Sequence, residues 1–152
     1  YPIGLPLLLV GLAQVVGWNA APALAMLLCA LLGIALMLPL GRLAGLPRAW
    51  TWFGAFLLAA SPLFTAMSVQ LFTDVPATAA ATATILCAWR SRSHRLWALA
   101  AGALLALAVL IRPSNAVLFV PVALCLGADW RRWLWLGAGG LPGALLQGTY
   151  TG

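Results

Sequence analysis

The chain has 152 residues, of which 64% are hydrophobic and only 7% charged, with eight Lys+Arg and two Asp+Glu giving a net charge of +6. A soluble domain is closer to about 45–50% apolar and about 25% charged, and one of this size cannot hide the surplus in a single core. Disorder requires the opposite composition, so a soluble globule and a disordered chain are both excluded. What remains is an all-α, polytopic transmembrane bundle of about six or seven helices, some of them short or re-entrant.

Residues 1–17 open the chain with Tyr1-Pro-Ile-Gly-Leu-Pro6 and an apolar stretch to Gly17. The helical part after Pro6 covers roughly 16 Å, too short to span, and is expected to be interfacial or re-entrant. Ala21–Leu40 reads as a transmembrane helix of about 30 Å. Gly41–Arg48 is a loop with Arg42 and Arg48. Ala49–Ala60 runs into Ser61-Pro62, where Pro62 should kink or redirect the chain before Leu63–Phe72.

Val75–Trp89 is a helix rich in Ala and Thr, and the polar run 90–95 (Arg90, Arg92, His94 and Arg95) is a loop. Leu96–Ile111 is helical and ends at Arg112-Pro113. Asn115–Leu126 follows, then the loop 127–132 and a last helix, Trp133–Gln147, with Pro142 inside it. No repeat or linker interrupts the chain, which reads as one helical domain over 1–152. It begins without an initiator Met or a basic leader, and the expectation is a fragment of a longer membrane protein.

The charges sort by side. Alternating loops put 41–48, 90–95 and 127–132 on one side, with seven of the eight Arg and Asp129. The positive-inside rule makes that side cytoplasmic, and Trp130, Trp133 and Trp135 suit an interfacial belt there. Short Arg clusters between apolar runs do not make a nucleic-acid surface. Two charges are left for the outer side, Asp74 and Arg112.

Helix lengths point the same way. Val75–Trp89 covers roughly 22 Å and Asn115–Leu126 roughly 18 Å, against a hydrocarbon core of about 30 Å. Non-helical backbone at that depth is tolerated where it lines a cavity or is buried in protein. An outward-facing hydrated pocket floored by the 72–76 and 111–116 turns is therefore expected.

Asp74 begins a helix, where Thr73 or Asp74 would cap free N–H groups and the acid suits the helix dipole. It is also an ionisable group in a membrane segment, a costly feature that usually serves a site. Arg112 would suit the end of the preceding helix, with Ser114 or Asn115 capping the next. Its planar fork also suits phosphate, and an outer Arg runs against the positive-inside bias. The two could simply pair. Gln70, Asn115, Gln147 and Tyr150 also map outward. Gly139-x-x-x-Gly143 is a pattern that permits close helix packing. Cys29, Cys87 and Cys125 lie within apolar runs without metal-ligand spacing, and no metal site or cofactor is assigned, although a divalent metal stays open.

Four patterns occur in order: Tyr1-Pro-Ile-Gly-Leu-Pro6, Ser61-Pro-Leu-Phe64, Thr73-Asp-Val-Pro-Ala77 and Ile111-Arg-Pro-Ser-Asn115, with an Arg42-Leu-Ala-Gly45 turn between them. Over nearly the whole chain this resembles the bacterial GT-C glycosyltransferases, closest to the dolichyl-phosphate-mannose protein mannosyltransferase and aminoarabinose transferase relatives.

The resemblance implies transfer of a sugar from a polyprenyl-phosphate-linked donor to a lipid, glycan or protein acceptor on the outer face of a bacterial inner membrane. It implies that Tyr1, Pro2 and Gly4 border the substrate cavity, with Asp74 at its floor. Arg112 would contact the lipid phosphate, and Asn115 would stand beside it. The resemblance puts the general base on an Asp upstream of Tyr1, so no catalytic residue is assigned here and the fragment is expected to be inactive. Two alternatives stay open: a transporter piece with Asp74 and Arg112 lining a polar path, or a structural membrane subunit.

Overall fold

A computed structural model describes residues 3–151, and their side chains as far as Thr149. Eight α-helices and one 3-10 segment make up the fold, with no strand among the described residues. They are α1 (Gly4–Val16), α2 (Ala21–Leu43), α3 (Arg48–Ala60), α4 (Pro62–Val69), α5 (Asp74–Arg90), α6 (Leu96–Ile111), the 3-10 turn Pro113–Leu118, α7 (Phe119–Leu126) and α8 (Trp130–Thr151). The chain bends by 57° between α3 and α4, at the break expected there. Pro62 causes the break, and the Ser61 hydroxyl caps α4 by accepting the Phe64 N–H at 3.4 Å.

Several helices outrun their expected ends. α2 continues past Leu40 to Leu43, where Gly45 takes a left-handed φ of 75° that closes the turn. This accounts for the glycine of Arg42-Leu-Ala-Gly45. α8 starts at Trp130, inside the expected 127–132 loop, because Asp129 accepts the Arg131 N–H at 3.1 Å and caps it. α1 takes in Pro6, which is tolerated in a first turn where its missing N–H costs nothing.

Small residues form the interior and large ones face outward. Ala21, Ala30, Ala77, Ala88, Ala98 and Ala101 are among the buried residues, whereas Leu27, Trp52, Phe56 and Leu124 are at least half exposed. Lipid tails solvate large apolar side chains, so membrane helices gain by bringing backbones together through small residues. α5 is buried along most of its length, and Thr82 and Thr84 satisfy their hydroxyls on carbonyls of their own helix, at 2.8 Å and 2.7 Å.

Among the described residues only α2 is by itself long and apolar enough to cross a membrane, and the bent α3–α4 pair passes the same test together. α1, α6 and the run Pro113–Leu126 are shorter apolar helices.

The contacts set helix directions. Met26 and Ala30 pack on Val75, and Gly33 faces Ala79, so α2 and α5 run parallel. Ala77 and Ala80 meet Ala108 and Ile111, while Cys87 and Ala88 meet Ala101, so α5 and α6 are antiparallel. Gly102 faces Leu136, and Gly143 faces Ala106, so α6 and α8 are parallel. The three Arg-bearing turns therefore share one end of the bundle, and the starts of α5 and of the 3-10 turn share the other.

Glycines make the α6–α8 contact. A Cβ on Gly102 would strike the Leu136 carbonyl oxygen, and one on Gly139 would strike the Leu99 carbonyl oxygen. A Cβ on Gly143 would sit 2.6 Å from the Ala106 methyl. Gly139-x-x-x-Gly143 thus serves close packing, with Gly102 as a reciprocal partner on α6.

Candidate functional site

Asp74 is the first residue of α5 and Arg112 follows the last residue of α6. The antiparallel pairing of these helices brings them together, and an Arg112 guanidinium N–H donates to Asp74 Oδ1. Neither is sealed in: the Arg112 and Asp74 side chains are 49% and 44% exposed. Thr73 makes no side-chain cap on α5, and the Asp74 carboxylate turns to the guanidinium. The expected capping role gives way because a charged N–H donor outcompetes a neutral backbone one.

Asn115 also departs from its expected role. It does not cap the following turn; its Nδ2 donates back to the Ala108 carbonyl at 3.0 Å. The same carbonyl accepts the Arg112 backbone N–H at 3.0 Å, and the Arg112 carbonyl accepts the Asn115 N–H at 2.9 Å. These three bonds tie residues 112–115 to the end of α6 and hold the Arg112 backbone in its extended conformation (φ −148°, ψ 109°). Ala108 carried no signal in the sequence, because its part is played by a backbone carbonyl, which every residue has.

Gly4 lies beside this turn for a steric reason. A Cβ there would sit 2.5 Å from the Ile111 nitrogen and 2.6 Å from the Leu110 carbonyl carbon. Gly4 thus lets the start of α1 touch the backbone that leads directly into Arg112. Tyr1 and Pro2, the other candidates on this segment, lie outside the described residues.

The ion pair is recessed below the start of α2. Met26 and Ala30 stand level with Val75, so α2 begins about 10 Å beyond that level. α8 runs on past Gly143 for about 12 Å, but Gly143 packs on Ala106, about 9 Å short of Arg112, so α8 clears the pair by only about 3 Å. The recess has a different origin from the one expected. α5 has 17 residues, and the 3-10 segment stretches the path to Leu126 to about 24 Å, so neither is as short as Val75–Trp89 or Asn115–Leu126 suggested. The depth comes from the extra length of α2.

The hollow next to the first turn of α5 has a volume of about 390 Å³ and is lined by Leu5, Leu8, Leu12, Ala25, Cys29 and Pro76 among others. Its lining is apolar, and it lies between α1, α2 and α5. A second apolar groove of about 490 Å³ follows the α6–α8 seam, with Leu110 and Gln147 at its far end. Gln70, exposed, ends α4. Among the described residues no three His, Cys, Asp or Glu side chains gather as metal ligands.

The family model described as Dolichyl-phosphate-mannose-protein mannosyltransferase matches residues 2–145 of the chain. No curated protein and no solved structure matches it.

Proposed function

Because the chain belongs to the dolichyl-phosphate-mannose-protein mannosyltransferase family, and so to the membrane glycosyltransferases of GT-C type, we propose that its recessed Asp74–Arg112 end receives a polyprenyl-phosphate-linked sugar for transfer on the outer face of a bacterial inner membrane. The observation that carries this reading is the ion pair itself. It unites the two charges that do not belong to the Arg-bearing end, and leaves both half open to an incoming group.

In such a transfer the acceptor oxygen or nitrogen gives its proton to a general base, which the family resemblance puts upstream of Tyr1, and bonds to the anomeric carbon as the bond from that carbon to the phosphate oxygen breaks. The electron pair leaves with the polyprenyl phosphate, where negative charge grows. A cation placed there stabilises the transition state more than the ground state. Arg112 supplies it: one part of its guanidinium holds Asp74, and its remaining N–H groups serve the phosphate. Asp74 orients Arg112, and Asn115 fixes the turn that carries it. Of the two acids in this sequence, Asp129 stands at the other end of the bundle and Asp74 at this one. The acceptor is a lipid, glycan or protein.

The face is argued from charge. The seven Arg at the opposite end make that end cytoplasmic by the positive-inside rule, which leaves the ion pair outside.

The test uses the full-length protein in membrane vesicles with a radiolabelled polyprenyl-phosphate sugar. Arg112→Ala should insert normally and lose transfer by about 10²–10³-fold, the usual cost of deleting one such donor. Transfer at the normal rate would remove Arg112 from the reaction.

A further inference from the structure

The opposite end of the bundle holds a second arrangement that sugar transfer does not use. The α5–α6 turn, with Arg90, Arg92 and Arg95, lies beside the α7–α8 turn, with Asp129, Arg131 and Arg132. Arg92 joins them, its Nε donating to the Cys125 carbonyl at 3.1 Å. The one acid here is spent: Asp129 Oδ1 accepts the Arg131 backbone N–H, and Oδ2 accepts Arg132 Nε at 3.1 Å. Among the described residues no carboxylate pairs with the side chains of Arg90, Arg92, Arg95 or Arg131.

Three of these guanidinium groups lie over indole rings. Arg90 is 5.1 Å from the Trp97 centroid, Arg92 is 5.9 Å from Trp89, and Arg131 is 5.7 Å from Trp130. A ring under one face of a guanidinium holds it by cation–π attraction and leaves its in-plane N–H donors free. Such donors fit phosphate oxygens. Tryptophan prefers the depth of lipid headgroups, so it sets these forks at the level of lipid phosphates.

We propose that the paired turns 90–95 and 127–132 form a binding surface for anionic phospholipid headgroups, with Arg90, Arg95 and Arg131 as its principal phosphate contacts. Charge complementarity selects the occupant. Four uncompensated cations, three of them held on aromatic rings, favour a headgroup with net negative charge over a zwitterionic one, whose amine would be repelled. Each surface Arg adds an increment to binding of an acidic bilayer. The surface lies far from the Asp74–Arg112 pair and does not depend on how that pair works.

The experiment uses the full-length protein in detergent, offered equal amounts of phosphatidylglycerol and phosphatidylcholine, with retained lipid counted by native mass spectrometry. Phosphatidylglycerol should be retained at least about tenfold over phosphatidylcholine. The triple variant Arg90→Gln, Arg95→Gln and Arg131→Gln keeps the structural bonds of Arg92 and Arg132, and its preference should fall towards one. Trp97→Leu keeps all the Arg, and should weaken the preference by a few fold by freeing Arg90. Equal retention of the two lipids by the unaltered protein would overturn the proposal. So would a triple variant with undiminished preference. Loss of phosphatidylglycerol to millimolar inorganic pyrophosphate at constant ionic strength would make this a site for soluble anions, and would overturn it as well.

Discussion

Arg112 and Asp74 are 38 positions apart, and their ion pair closes one end of the α5–α6 hairpin where each helix leaves its terminal backbone groups free. Half-exposed pairs contribute about 0–1 kcal/mol to stability. Asp74→Asn in the full-length protein should therefore move the melting temperature little while lowering sugar transfer at least tenfold. The charge swap Asp74→Arg with Arg112→Asp should regain the pair without regaining transfer. A swap that restores transfer would make the pair structural.

Gly4 meets the Ile111 and Leu110 backbone, which cannot move aside as a flexible side chain could. Gly4→Ala should cost about 1–3 kcal/mol, as overpacking does. Thermal unfolding in detergent measures it. Gly11→Ala, in the same helix with nothing near its Cβ, is the control and should be neutral or slightly stabilising. Equal effects of the two would refute the close approach of α1 to α6.

The α6–α8 seam makes a parallel prediction. Gly102→Ala and Gly139→Ala each place a methyl on a carbonyl oxygen of the other helix, and both should lower the melting temperature. Gly137→Ala, on the open face of α8, should not. Because the two sites share one contact, the double variant should cost less than the sum of the singles.

Topology is testable in a variant lacking Cys29, Cys87 and Cys125. Ser93→Cys and Ser114→Cys both lie at exposed positions at opposite ends of the bundle. An impermeant thiol reagent added to intact cells should label position 114 and spare position 93. The reverse pattern would invert the proposed sidedness and move the ion pair to the cytoplasm.

Asn115→Ala removes the side-chain bond to the Ala108 carbonyl. The expected loss is about 1 kcal/mol, with a fall in transfer caused by a looser Arg112. Asn115→Asp, which cannot donate that bond, should behave like the Ala variant. Transfer unaffected by either would detach the turn geometry from the chemistry.

Much of the fold was legible because membrane burial writes itself into composition. Apolar runs and short Arg clusters located the turns, and Ser61-Pro62 located the break between α3 and α4. Where boundaries shifted, local polarity misled. Residues 127–132 read as a loop because they carry charge, yet Asp129 is an N-cap and Trp130 already begins α8. At the site, the residue types were legible and their partners were not. Thr73 and Asn115 were given capping tasks on sequence-local grounds, whereas Asn115 bonds back to α6 and Asp74 binds a cation from another helix.

By itself the sequence determined the class of the molecule and the sorting of its charges, because transfer of each residue between water and lipid depends mostly on that residue's own chemistry. The tertiary structure decided that Asp74 meets Arg112, that Gly4 touches the end of α6, and that the pair lies recessed below the start of α2. Those facts depend on helix registers, and registers come from small residues packing across the chain, where no single residue carries the answer.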